Sequence, residues 1–117
     1  MTLILAAILT LLSPQQVGTV LQTGVATWYE TPGLTAAAGP DLRVGDWRGS
    51  RVRVCASACV VVTLTDFCAC GPRNGVPTLL DLSHGAFRRL APLSVGVLAV
   101  TVETGLPPVS LPETDTE

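Results

Sequence analysis

Two aspartates are the residues of this 117-residue chain best suited to chemistry. Asp66 closes the run Cys59-Val-Val-Val-Thr-Leu-Thr65 and is followed by Phe67. A carboxyl walled by apolar side chains is desolvated, and desolvation favours its protonated form. A general acid needs that property in order to carry a proton near neutral pH. The competing role is structural, with the carboxylate capping backbone donors of the turn that follows. Asp81 interrupts the apolar stretch Leu79-Leu80-Asp81-Leu82-Ser83 just ahead of a helix start. The helix dipole and its free N–H groups stabilise a carboxylate there. The competing role of Asp81 is structural, and residue type alone argues strongly for it.

Glu30 is a third acid, next to Trp28 and Tyr29. Trp28, Tyr29 and Trp47 offer flat faces for sugar rings, or serve as core. His84 is the single histidine, so no Ser–His or Cys–His catalytic pair stands out. No glycine-rich phosphate loop precedes a helix and no cofactor motif occurs, so no cofactor is expected.

The elements that must position these acids read as mostly β. Gly24–Tyr29 is a β-prone first strand. Thr31 to Trp47 carries Pro32, Gly33, Gly39, Pro40 and Gly45, the composition of a long surface loop. Arg51-Val-Arg-Val-Cys55 alternates strictly, as a half-buried strand does. Ala56-Ser57-Ala58 joins it to the β-branched strand Cys59–Thr65, giving a hairpin. Gly71-Pro-Arg-Asn-Gly75 is turn chemistry, and Thr78–Leu82 is a short strand. Ser83 caps a helix that runs to about Leu90 and buries Phe87 and Leu90. Gly96–Val102 is the last strand.

The cysteines sit at 55, 59, 68 and 70. An even count in a short chain reads as two disulfides, with three possible connectivities. Free thiols and zinc are the rivals, but C-x3-C with C-x-C matches structural zinc spacing poorly, so no metal site is expected. Cys55 and Cys59 flank the hairpin turn, where cross-strand Cβ atoms lie close, and are expected to pair. Cys68 and Cys70 then pair with each other or stay reduced.

The net charge is −2, all seven basic residues are Arg, and no basic cluster occurs. Nucleic acid is excluded as a partner on that basis. Leu3–Leu12 is an uncharged run of apolar residues and Thr. Ten helical residues rise about 15 Å, half of what a bilayer core needs, so a stable membrane span is not expected. A secretory h-region fits the length, although no Lys or Arg precedes it. Residues 1–22 are accordingly expected to form a signal peptide or an apolar N-terminal segment. Residues 105–117, with Pro107-Pro108 and the acidic end Glu113-Thr-Asp-Thr-Glu117, are expected to form a disordered tail.

Several segments, in order, resemble one family. Gly24–Tyr29, Thr35-Ala-Ala37 leading to Leu42 and Gly45, Val52–Val54, Cys59–Asp66, Leu80-Asp-Leu-Ser83, Ala86-Phe87 and Gly96–Val102 are similar to the RlpA-like double-psi β-barrel. Expansins carry the same barrel as their first domain, and Thr65-Asp-Phe-Cys68 with Leu80–Phe87 looks especially expansin-like. The resemblance implies a six-stranded double-psi β-barrel with one short helix over residues 23–104. It also implies an extracytoplasmic, monomeric protein whose partner is peptidoglycan or a related polysaccharide. The activity implied is lytic transglycosylase-like, or else non-catalytic, expansin-like binding and loosening, or a structural place in an envelope or phage assembly. Asp66 matches the aspartate of RlpA-type lytic transglycosylases, and Asp81 the aspartate on which expansin loosening depends. Thr27 matches a polar partner in that groove, with Trp28, Tyr29 and Glu30 beside it as substrate-binding candidates. RlpA enzymes carry a histidine directly after Thr-Ala-Ala, where this chain has Ala38.

Overall fold

The computed structural model describes residues 19–107. The expected signal peptide and acidic tail lie almost wholly outside the described residues. Val20–Gln22, however, belong to the first strand of the domain.

Six strands close into a barrel. They are β1 (Val20–Tyr29), β2 (Thr35–Ala38), β3 (Arg51–Cys55), β4 (Cys59–Phe67), β5 (Thr78–Ser83) and β6 (Leu98–Thr104). Their order around the wall is β1-β5-β2-β4-β3-β6. The pairs β1–β5 and β2–β4 are parallel, and the remaining neighbours are antiparallel. One helix, α1 (His84–Arg88), packs beside β5 and β1. Short 3-10 turns occupy Pro40–Leu42 and Leu93–Val95. This is the mostly-β, six-stranded double-psi barrel with a small helix that the resemblance implies.

The core follows from the strand patterns. Val52 and Val54, then Val60, Val62 and Leu64, point inward from the β3–β4 hairpin and meet Val100 and Val102 of β6. Period-two alternation places their neighbours Arg51, Arg53, Val61 and Thr63 on the outer side. Cys55 faces Cys59 across the hairpin end and is bonded to it, and Cys68 is bonded to Cys70. Arg53 faces Glu103 on β6 and pairs with it. That hydrogen bond, followed by one from Thr19, holds the Glu103 carboxyl below its ordinary range.

Three expectations need correction. The long surface loop predicted over Thr31–Trp47 contains a strand, Thr35–Ala38, whose three alanines are buried between β4 and β5. Alanine has little intrinsic preference for strands, so pairing on both edges decides this segment. At Gly39, just past β2, an added Cβ would sit 2.4 Å from the Thr78 carbonyl oxygen. The helix ends at Arg88 rather than Leu90, although Leu90 remains buried in the turn that follows. Finally, Gly96 (φ 74°) closes a 3-10 turn, so the last strand starts at Leu98.

Candidate functional site

Thr27 on β1 pairs with Asp81 on β5, Asp81 with Ala37 on β2, and Ala37 with Asp66 on β4. The four residues form one rung across four adjacent strands. Their chain neighbours Ala26, Leu80, Leu82, Ala36 and Ala38 are buried in the core, and Asp66 is itself exposed. The rung itself therefore faces outward.

Two bulges produce this alignment. Val25 pairs with Thr78 but Ala26 pairs with Leu80, which leaves Leu79 as an extra residue in β5. Leu79 and Leu80 are both fully buried, and Asp81 falls on the outer side. Ala36 pairs with Leu64 but Ala37 pairs with Asp66, so Thr65 is the extra residue in β4. Without that insertion, alternation would turn Asp66 to the same side as Leu64. Bulges re-aim side chains in this way.

Asp81 is half-buried and accepts a hydrogen bond of 2.7 Å from the Thr27 hydroxyl. This bond takes the part expected of helix N–H groups. The first turn of α1 is capped instead by Ser83, whose Oγ accepts from the Ala86 amide. Ser83 Oγ also donates to the Gly33 carbonyl and accepts from the Thr35 amide, tying β5 to the approach of β2. Tyr29 lies two residues beyond Thr27 on the same face. Burial first, then the negative charges of Asp66 and Asp81, push its phenol above the ordinary range. Both carboxylates thus act on one hydroxyl.

Asp66 is exposed, and its Oδ1 accepts from the Phe67 amide at 2.9 Å. The apolar wall expected around it is absent. Phe67 turns away toward Arg43, whose guanidinium lies 5.4 Å from the ring centre, and stays 55 % exposed. Ala37, between the two acids, is 4 % exposed and forms a floor without a side chain of any height.

Thr27, Tyr29, Asp66 and Asp81 are therefore brought together, and Trp28 and Glu30 are not. Trp28 packs against the core and donates its indole N–H to the Leu93 carbonyl. Glu30 sits exposed in the bend after β1. Trp47 also leans on the core, with the Arg48 guanidinium over its ring at 4.5 Å. The sequence reading missed Ala37 as the floor. The run Ala36-Ala37-Ala38 was the available signal, since a strand of small residues marks a close or shallow place. Among the described residues no group of His, Cys, Asp and Glu is arranged to hold a metal ion, and no helix is long and apolar enough to cross a membrane.

No curated protein matches the chain. Among solved structures it is similar to the Streptomyces papain inhibitor, with 25 % identity and a TM-score of 0.58, covering 72 % of this chain and 93 % of the inhibitor. It is also similar to the expansin of Clavibacter michiganensis without ligand, at 23 % identity and a TM-score of 0.62, covering 78 % of this chain and 53 % of that one. A mutant of that expansin in complex with cellohexaose matches at 21 % identity and a TM-score of 0.63, covering 79 % and 54 %. The expansins thus share the fold, and the chain spans about half their length. A family model described as lytic transglycolase matches residues 21–102, which reaches all six strands of the barrel and takes in the whole Thr27–Asp81–Ala37–Asp66 rung, and the chain belongs to that family of double-psi β-barrels.

Proposed function

We propose that this barrel engages a polysaccharide across the Thr27–Asp81–Ala37–Asp66 rung and cleaves peptidoglycan without water, as a lytic transglycosylase does. The observation that carries the reading is the placement of two carboxylates on either side of Ala37. A low floor between two acids accepts a sugar ring and leaves each carboxyl able to reach its hydroxyl or ring-linking oxygens. In the reaction, one carboxyl group gives its proton to the glycosidic oxygen as the C1–O bond breaks. The C6 hydroxyl of the same sugar attacks C1, and its proton returns to the carboxylate. The acid is regenerated and the product ends in a 1,6-anhydro ring. One carboxyl suffices, whereas hydrolysis normally needs a second one to activate water or act as nucleophile. Asp66 takes the acid role in this reading, and Asp81, steadied by Thr27, orients the sugar. The two disulfides and the family support an extracytoplasmic setting, because such bonds persist where the medium is oxidising.

Two observations favour a second reading, in which the barrel binds glycan without cutting it, as an expansin-like module. Asp66 is exposed rather than enclosed, and Ala38 occupies, fully buried, the position where RlpA enzymes carry a histidine. Incubation with purified peptidoglycan, followed by mass spectrometry of the soluble products, separates the two. Anhydro-muropeptides that vanish in Asp66→Asn establish the enzyme. Association with the pellet but no soluble product establishes binding alone. Inhibition of papain with neither of these would replace both readings by the one that the Streptomyces inhibitor's name suggests.

A further inference from the structure

The segment between β2 and β3 does more than connect them. Its backbone is laid along β4: the Gly49 amide donates to the Leu64 carbonyl at 2.7 Å, and the Leu64 amide donates to the Ser50 carbonyl at 2.8 Å. Two arginines of this segment then reach the backbone on either side of Asp66. Arg48 Nη1 donates to the carbonyl of Thr65, the extra residue of the bulge, at 2.7 Å. Arg43 Nη1 donates to the Cys68 carbonyl at 2.8 Å and to the Ala38 carbonyl at 2.9 Å. The Cys68 amide donates to that same Ala38 carbonyl at 2.8 Å, and the Arg43 guanidinium stacks on Phe67.

We propose that Arg43 and Arg48 are positioning residues for Asp66, holding the β4 bulge in the one arrangement that turns this carboxylate onto the Ala37 rung. A bulge leaves its extra residue outside the ladder, with a carbonyl free to reorient. At Thr65 that carbonyl is taken by Arg48. The next residues are exposed and near the strand end, where strands open most readily. Arg43 closes that end by joining Cys68 to Ala38, the last residue of β2. Charge-assisted hydrogen bonds are about twice as strong as neutral ones, so two guanidinium groups suit this task. Asp66 is two bonds of chain from one clamp and two residues from the other, and neither arginine need touch a ligand. The inference rests on Asp66 being a working carboxylate of the site, but its first test needs no substrate.

That test is amide hydrogen exchange on the whole chain. In Arg43→Met and Arg48→Met the Phe67 amide, which reports the Asp66 carboxylate directly, and the Cys68 amide should exchange about ten-fold faster, as expected on losing one strong hydrogen bond. Amides of β3 and β6 should keep their rates. Arg48→Lys should retain protection, because one donor satisfies Thr65. Arg43→Lys should retain only part of it, since an ammonium cannot lie flat on Phe67. Unchanged rates at Phe67 and Cys68 in both methionine variants overturn the proposal. So does a uniform acceleration across the barrel, which would mark the arginines as general stabilisers. The second arm is a double-mutant cycle read by peptidoglycan pelleting and product release. Arg43→Met should lower both signals in the wild-type background and change neither in the Asp66→Asn background. Losses that simply add would also overturn it. Local exchange changes in a protein that neither binds nor cleaves peptidoglycan would sink the proposed function while leaving the positioning role standing.

Discussion

Asp66 and Asp81 are neighbours once removed across the barrel wall, each paired with the same residue, Ala37, from opposite sides. Adjacent strands lie about 4.8 Å apart, so the two Cα atoms are separated by roughly 10 Å. The two acids therefore flank a gap whose floor is a methyl group. Thr27 extends the same line by one strand, and Tyr29 overlooks it from the next outward position of β1.

Tyr29 gives the most direct test of that geometry. It is the only tyrosine, so the absorbance of ionised phenol reports on it alone. Its folded pKa is raised, by burial and then by Asp66 and Asp81, above an unfolded value of about 10. The stability it contributes is thus fully present below about pH 10 and is lost as pH rises through the folded value. Denaturant melts across that window should show the loss, and Tyr29→Phe should remove it. Asp66→Asn and Asp81→Asn should each shift the phenol's titration downward. A titration that ignores both substitutions would mean the two acids do not share a site.

Ala37→Leu should block the site while leaving the barrel standing. The added carbons rise between the two carboxylates, and crowding of this kind costs about 1–3 kcal/mol of stability. Thermal unfolding should remain cooperative, and association with peptidoglycan should fall to the level of Asp81→Asn. Wild-type binding by a folded Ala37→Leu protein would move the ligand away from the rung.

Ser83→Ala should destabilise the domain by about 1–3 kcal/mol, measured by urea unfolding. The hydroxyl is fully buried and joins the Gly33 carbonyl, the Thr35 amide and the Ala86 amide. Its loss leaves those groups without their partner and loosens β5 two residues beyond Asp81. Peptidoglycan binding should weaken along with stability, and Ser83→Thr should recover part of both.

The chemistry-bearing residues were legible because their types and neighbours are unusual. An acid inside Leu79–Leu82 and an acid ending a β-branched run stand out in any reading, and the hairpin that brings Cys55 to Cys59 follows from strict alternation. Where the acids point was not legible. Alternation counted from Leu64 turns Asp66 inward, and counted from Leu79 it places Leu80 outside. Both counts fail because one residue is inserted in each strand, at Thr65 and Leu79. A bulge depends on the partner strand, and the partners here are β2 and β1, far along the chain.

The alanine strand shows the same division. Thr35–Ala38 has loop composition on both sides and weak β preference within, so no local signal outweighs the neighbouring glycines and prolines. Its place between β4 and β5 rests on hydrogen bonds to residues about thirty to forty-five positions away. Trp28 and Arg43 complete the picture. As an aromatic beside Tyr29, Trp28 read as a sugar platform, yet strand period alone puts it on the opposite face, against the core. Arg43 carried no signal at all, since a charge in a loop is usually solvated. The amino-acid sequence by itself determined five of the six strands, the hairpin disulfide and the two acids, because alternation, turn chemistry and residue type act locally. The tertiary structure alone decided that the acids meet over Ala37 and that Arg43 and Arg48 hold one of them there, because pairing register and bulges are set between strands distant in sequence.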